Sequence, residues 1–365
     1  MILPESRSIE WLQKVATENN FPNITMLEKT IRAFSLLEFL ALSGCPFVFK
    51  GGTALMLHFD SAKRLSIDID IICPPETDIE KFLSKNIEQY GFNEIKLIER
   101  KIANNTPKSH AKFYYQVTYN TSSEIDCILL DILFEEIHYN NLEQLPIKSR
   151  FLKTDNNKVL VNVPSTADLL GDKLTAFAPN TTGIPYYKGN RMCSMEIIKQ
   201  LYDISSLFDL TNDLTITNKT FRKFSSVELA YRNLNPDNYQ QVLDDIFKTS
   251  LCICLQGQID NENFILLQDG IKRILSYIHS ERYNLDSAII DASKVAYLSI
   301  LLSNDLSKVE HFDKDNIQEL QSSIIESPLS TKLNKLKKSN IEAYYYWWKI
   351  FEIMKYGKNI AMGGI

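Results

Sequence analysis

The chain has 365 residues, of which 44% are apolar, 11% aromatic and 23% charged. That composition supplies a sizeable core for one large or two ordinary domains and excludes an intrinsically disordered chain. A net charge of −5 excludes a global pull toward nucleic acid, so any such contact has to come from a local patch.

Residues 8–20 and 24–43 read as helices; in the second, Met26, Ile31, Phe34, Leu37, Phe39 and Leu40 form a broad apolar face and Gly44 a stop. A strand over 46–50 leads through Gly51-Gly52 as a turn into a short helix over 53–59, and a second strand follows over 67–73, closed by Pro74-Pro75. A helix near 77–90 is followed by strands near 94–101 and 111–119. Residues 125–134 form a strand apolar on both faces and therefore central. Short strands near 147–151 and 158–163 end at Pro164. From Ser165 onward the patterns are almost all helical: 165–178, 194–210, 217–234, 237–255, 262–281, 287–303, 314–326 and 341–356. The loop 179–193, with Pro179, Gly183, Pro185 and Gly189, is the clearest break. Strands with helices first and helices alone afterwards predict an α+β fold, with a sheet domain over 1–164 and an all-helical domain over 165–365.

The six cysteines form no CxxC pair, and all read as reduced, buried thiols of a cytoplasmic protein. The first residues, Met1-Ile2-Leu3-Pro4-Glu5, lack the basic and long apolar segments of a signal peptide. No apolar run approaches the ~20 residues of a membrane span.

Chemistry concentrates between Lys50 and Asp70. Residues i and i+2 of a strand share a face, so Asp68 and Asp70 project together while Ile67, Ile69 and Ile71 face the core. Two adjacent carboxylates repel unless a cation sits between them, which makes the pair a hard-cation site of the kind that holds Mg2+ against nucleotide phosphates; its plain alternative is a solvated strand face. Gly51-Gly52-Thr53, strand into helix, exposes backbone N–H groups suited to phosphate, or is only a tight turn. Lys50 reads as a phosphate ligand or a solvated strand end. Asp131 sits mid-strand on the face of Cys127, Leu129 and Leu133, and a buried carboxylate demands either a shared metal or a Lys or Arg partner. Asp126, on the opposite face, reads as solvated. Lys173 falls inside the apolar arc of its helix, as a snorkelling lysine or as one aimed at phosphate or a buried acid. Lys199 and Asp203, i and i+4 on the next helix, read as a surface ion pair worth a few tenths of a kcal/mol. The five histidines are scattered and form no ligand set. Lys332, Lys335, Lys337 and Lys338 make a small basic run, and the run 344–348 of three tyrosines and two tryptophans reads as core.

Lys50-Gly51-Gly52-Thr53-Ala54-Leu55, followed by Arg64-x-Ser66-x-Asp68-Ile69-Asp70, resembles the first motif of the AbiEii/AbiGii toxin family, a branch of the DNA polymerase β-like nucleotidyltransferase superfamily. Leu130-Asp131-Ile132 is similar to the strand that carries the third carboxylate. Leu169-Leu170-Gly171-Asp172-Lys173-Leu174 is similar to the helix that supplies a lysine. Lys199-x-Leu201-Tyr202-Asp203-Ile204 is similar to a helix that supplies a further aspartate, with Asp203 or Lys199 its functional member. The likeness covers residues 30–210 and leaves 211–365 unassigned.

The resemblance implies a cytoplasmic toxin of a type IV toxin–antitoxin or abortive-infection system, encoded beside its antitoxin, with a nucleotidyltransferase-type mixed β-sheet domain whose active site is completed by the first two helices of the 165–365 domain. It also implies transfer of a nucleotide from an NTP to an acceptor, with RNA (the tRNA 3′ end) foremost. Asp68, Asp70 and Asp131 would hold two Mg2+ ions, Lys50, Gly51, Gly52, Thr53, Arg64 and Ser66 would surround the nucleotide, and Lys173 would neutralise charge in the transition state. A small molecule or a protein side chain as acceptor, or an inactive nucleotide- or partner-binding protein, are the rival readings. The geometric expectation is that Asp68, Asp70, Asp131 and Lys173 converge in one cleft.

Overall fold

Two capped helices open the chain. Ser8 accepts a hydrogen bond from the Trp11 N–H at the start of α1 (Ile9–Glu18), and Asn23 accepts one from the Met26 N–H at the start of α2 (Ile24–Ser43). Each satisfies an N–H that has no partner within its helix. α2 stops at Gly44, whose φ of 81° is a left-handed conformation that costs glycine little. The structure is a computed structural model and describes residues 1–19, 21, 23–59, 63–84, 86–98, 108–119, 124–278, 282–326 and 330–356.

Strand β1 (Val48–Lys50) runs directly into α3 (Gly51–His58). There follow β2 (Ile69–Cys73), the short α4 (Ile79–Leu83), β3 (Glu94–Ile98), β4 (Lys108–Gln116), β5 (Ile125–Phe134), β6 (Leu142–Pro146) and β7 (Leu160–Pro164). The first five strands form a mixed sheet in the order β1-β2-β5-β4-β3, antiparallel except for the parallel β2–β5 pair. β6 and β7 pair separately. Ile69, Ile71, Ile128, Leu130, Ile132, Ala111 and Phe113 point from the sheet into one core with Leu27, Ile31 and Phe34 of α2. Each buried Ile, Leu or Phe among them contributes about 1.5–3 kcal/mol. With that face filled by apolar side chains, the opposite face of β2, β5 and β4 carries the polar residues.

The chain divides into two units, Met1–Thr166 with Ser276–Arg282, and Ala167–Leu275 with Tyr283–Ile365. The second is built from α5 (Thr166–Ala176), the two-residue strands β8 (Tyr187–Lys188) and β9 (Arg191–Met192), α6 (Ser194–Phe208), α7 (Thr215–Tyr231), α8 (Gln240–Cys254), α9 (Asn261–Arg273), α10 (Leu285–Ser303), α11 (Ile317–Ser322), α12 (Ser330–Ser339) and α13 (Ile341–Tyr356). The fold is therefore α+β, a mixed sheet with flanking helices and then helices. No described helix is long and apolar enough to cross a membrane.

Several elements differ from the sequence pattern. The helix expected over 77–90 is only Ile79–Leu83 plus a 3-10 turn at Glu88–Tyr90 that stops at Gly91 with φ 84°. The strand expected near 147–151 lies earlier, at Leu142–Pro146; Ile147 and Phe151 are buried by a turn in which Leu152 N–H donates to Ser149 O. The helix expected over 262–281 ends at Arg273, and the chain then returns to the first unit, where Tyr277 O accepts from Leu65 N–H at 2.8 Å and Ile278 bridges Arg64. Residues 99–101 and 279–281, assigned above to a strand and a helix, lie outside the described residues. The loop 179–193 is tied down rather than a break: Gly183 N–H donates to Ala178 O at 2.7 Å and Asn180 N–H to the buried Asp245 at 2.8 Å. Asp126 pairs with Lys29 at 2.9 Å instead of facing water alone. Five cysteines are buried, but Cys127 is only half-buried; burial pushes the Cys252 and Cys254 thiols up to about 12, which suits inert structural roles. The aromatic run 344–348 is core as expected over Tyr344–Trp347.

A polar network inside the second unit yields a pH prediction. Asp291 keeps some residue surface exposed, yet its carboxyl is taken out of water, which raises its pKa to about 7 against the opposing pull of Ser205, Lys294 and Tyr283. The folded chain thus holds this proton more tightly than the unfolded chain does. Stability contributed by Asp291 is highest below its unfolded pKa and falls as pH rises toward about 7, then levels. Urea unfolding of wild type and Asp291→Asn from pH 4 to 8 should show this decline in wild type only. Parallel pH profiles would contradict it.

Candidate active site

The site is laid out by register. On the polar sheet face Lys50 of β1 stands opposite Asp70 of β2, Asp70 opposite Asp131 of β5, and Asp131 opposite His110 of β4. One cross-strand row therefore reads Lys50, Asp70, Asp131, His110. Adjacent strands lie about 4.8 Å apart, so the two carboxylates are neighbours although 61 residues separate them in the chain. His110 is 9% exposed, and its Nδ1–H donates a hydrogen bond to Asp131 Oδ1. Asp131 keeps 36% of its side chain exposed. Its Oδ2 has no protein partner among the described residues. The partner foreseen for Asp131 as a lysine or arginine is thus a histidine. Strand pairing between β4 and β5 brings it there, and spacing along the chain gave no sign of it.

Gly51 is needed where it stands. Its φ is +79°, and a Cβ there would lie 2.1 Å from Asp70 Oδ2. The Asp70 carboxylate consequently rests on the backbone at the first turn of α3, where N–H groups lack intrahelical partners. The turn expected at Gly51-Gly52 is itself the start of the helix. A Cβ on Gly52 would meet Arg64 Nη2 at 2.6 Å and Ser66 Oγ at 2.9 Å, so a guanidinium and a hydroxyl flank the same helix end. Arg64 is 7% exposed and its Nη1 donates to Leu65 O at 3.0 Å. Thr53, read as a phosphate ligand, is fully buried instead, and its Oγ1 donates to Asp68 O at 2.6 Å. It fastens the approach to β2 to the helix. Lys50 lies with its Nζ 6.0 Å from the Tyr139 ring centre.

Gly51→Ala is expected to cost about 1–2 kcal/mol for the left-handed backbone and to displace Asp70, so that catalysis falls further than stability. Circular dichroism melts alongside turnover measure both. A fully active Gly51→Ala protein would contradict the placement of Asp70.

Asp68 lies just before β2 and is exposed. Among the described residues no three His, Cys, Asp or Glu side chains are gathered to hold a metal ion, so the triad is not formed as a closed ligand ring. Asp70 and Asp131 nevertheless fit a hard cation: two neighbouring, oxygen-only donors with an open Oδ2 on Asp131. Lys173 and Asp203 belong to the second unit, where Lys173 Nζ meets Asp203 Oδ2 at 2.8 Å and Gln200 Oε1 at 3.2 Å. Asp203 is 3% exposed, not half of a surface pair with Lys199, because residues 201–208 of α6 are all buried. α5 reaches α7 closely at Gly171, where a Cβ would lie 2.8 Å from Thr217 O, and the buried Asp168 accepts from Thr220 Oγ1 at 2.5 Å.

The family model described as "Nucleotidyl transferase AbiEii toxin, Type IV TA system" matches residues 36–264. The chain belongs to the AbiEii nucleotidyltransferase toxin family. The matched span takes in the sheet row and the Lys173–Asp203 pair, and AbiEii membership carries the reaction class, an NTP as substrate and an antitoxin as partner. A comparison with curated proteins finds no match. Among solved structures, the crystal structure of JHP933 from Helicobacter pylori is similar at 13% identity, covering 74% of this chain and 90% of that chain with a TM-score of 0.40.

Proposed function

We propose that this AbiEii-family chain transfers a nucleoside monophosphate from an NTP to the 3′ hydroxyl of an RNA, with tRNA the preferred acceptor, and that this transfer is its toxic act in a cytoplasmic type IV toxin–antitoxin pair. The observation that carries the reading is the register of Asp70 with Asp131 on adjacent parallel strands, with Gly51 beneath the Asp70 carboxylate.

The acceptor oxygen forms a bond to the α-phosphorus, the bond to the β-phosphate oxygen breaks, pyrophosphate leaves, and the hydroxyl proton is released. Asp70 and Asp131, with Asp68 at the open end, would hold divalent metal, expected to be two Mg2+; when bound, it supplies Lewis-acid charge to the attacking and leaving oxygens. The α3 N-terminus binds the triphosphate by backbone N–H groups, helped by Arg64, Ser66 and Lys50. His110 fixes the orientation of Asp131 by holding Oδ1, which turns Oδ2 toward ligand. Thr53 holds Asp68 in place through its backbone. Lys173, paired with Asp203, is assigned to the same reaction as a phosphate-neutralising cation.

Incubation with each α-labelled NTP, Mg2+ and total RNA tests the reading. Label is expected in RNA, with tRNA foremost. Label only in protein or a small molecule, or tight NTP binding with no transfer, would overturn it. Expression should arrest growth, and Asp70→Asn should relieve the arrest; equal toxicity of the variant would separate toxicity from catalysis.

A further inference from the structure

β4 carries more than the histidine behind Asp131. Its residues alternate, so Lys108, His110, Lys112 and Tyr114 share the polar face of the sheet while Ala111, Phe113 and Tyr115 are buried on the other. His110 belongs to the acid row, and Lys108 and Lys112 stand on either side of it, four residues and about 14 Å apart along the strand. Lys112 is directly opposite Lys96 of β3. Lys96 is 56% exposed, with its Nζ 3.3 Å from Glu94 and 4.9 Å from the Tyr114 ring centre. Lys108 and Lys112 make no hydrogen bond or ion pair among the described residues, and Lys112 is half-buried. A half-buried lysine that forms no ion pair among the described residues, one row from a pair of carboxylates, has the position expected of a cation whose partner comes from outside.

We propose that the β3–β4 side of this sheet face is the docking surface for the single-stranded 3′ end of the RNA acceptor. Lys108, Lys112 and Lys96 contact successive phosphates, Tyr114 offers an aromatic surface to a base, and the terminal hydroxyl is delivered toward Asp131. The charge is opposite to that of a nucleic-acid backbone, although the whole chain carries −5. The surface is continuous with the row proposed for catalysis, and the inference rests on that reading for the direction in which the strand runs.

Binding of a short 5′-labelled single-stranded RNA, followed by anisotropy in EDTA over a range of salt, reads this surface apart from chemistry. Single-strand affinity falls with salt with a slope of about −0.7 per phosphate neutralised. Lys112→Gln is expected to weaken binding severalfold at low salt and to make the slope shallower by about 0.7, and Lys96→Gln with Lys112→Gln by about twice that. Lys112→Arg, which keeps the charge, should retain the wild-type slope, as a merely structural lysine would not require. Unchanged affinity and slope in the glutamine variants would overturn the surface even with RNA labelling intact. The expected slope changes in a chain that transfers no nucleotide would support the surface while the proposed reaction failed.

Discussion

Asp70→Asn is expected to reduce nucleotidyl transfer by about a hundredfold to a thousandfold, the loss typical when a preorganised charge at the reacting centre is removed. The substitution is nearly isosteric, so the chain should stay folded and melt close to the wild-type temperature. Loss of activity with intact folding assigns the effect to the site. Asp131→Asn should behave alike, since the two residues stand opposite each other on β2 and β5. His110→Ala should lose less, about tenfold to a hundredfold, because it removes only the group that orients Asp131. A His110 variant as inactive as Asp70→Asn would mean that the imidazole touches substrate. Steady-state turnover with each variant, normalised to folded protein, separates these outcomes.

The largest stability effect is expected in the second unit. Lys173 and Asp203 are 7% and 4% exposed at their side chains and meet at 2.8 Å. Lys173→Met removes the cation that meets the buried Asp203 carboxylate, at a cost of about 3–5 kcal/mol. Asp203→Leu takes the carboxylate from the buried ammonium, which keeps Gln200 as its partner among the described residues. The double variant Lys173→Met/Asp203→Leu removes both charges and should recover most of that loss, since apolar replacement of a whole buried pair is often close to neutral. Urea unfolding of the two singles and the double measures the coupling. A folded double variant also isolates the role proposed for Lys173 in the reaction: stable and inactive supports it, stable and fully active refutes it.

Much of the sheet was legible because its signals are local. The nearly continuous apolar run of residues 125–134 gives the β5 limits as found, and Gly44 and the apolar face before it mark where α2 ends. Asp68 and Asp70 stand out because two acids interrupt an otherwise apolar strand. What stayed hidden depends on pairing between distant segments. His110 gains its role only because β4 lies beside β5 in one register, and a slip by one residue would send it to the other face. Thr53 looked like a phosphate ligand because hydroxyls after glycines often are, yet its burial under the β2 approach turns the hydroxyl to Asp68 O. The burial of Asp203 is hidden for a different reason. An i, i+4 pair on a helix looks exposed when one apolar face suffices, but α6 is enclosed on all sides over residues 201–208. The return of Tyr277 and Ile278 to Leu65 and Arg64 has no local signal at all.

The fate of each phosphorus tests the central claim most directly. Wild-type protein given Mg2+, RNA and an NTP labelled at either the α or the γ position should place α-label in RNA and release γ-label as pyrophosphate, one for one, with both lost in Asp70→Asn. Transfer of the γ-label to RNA or protein, or its release as inorganic phosphate without RNA labelling, would contradict the account.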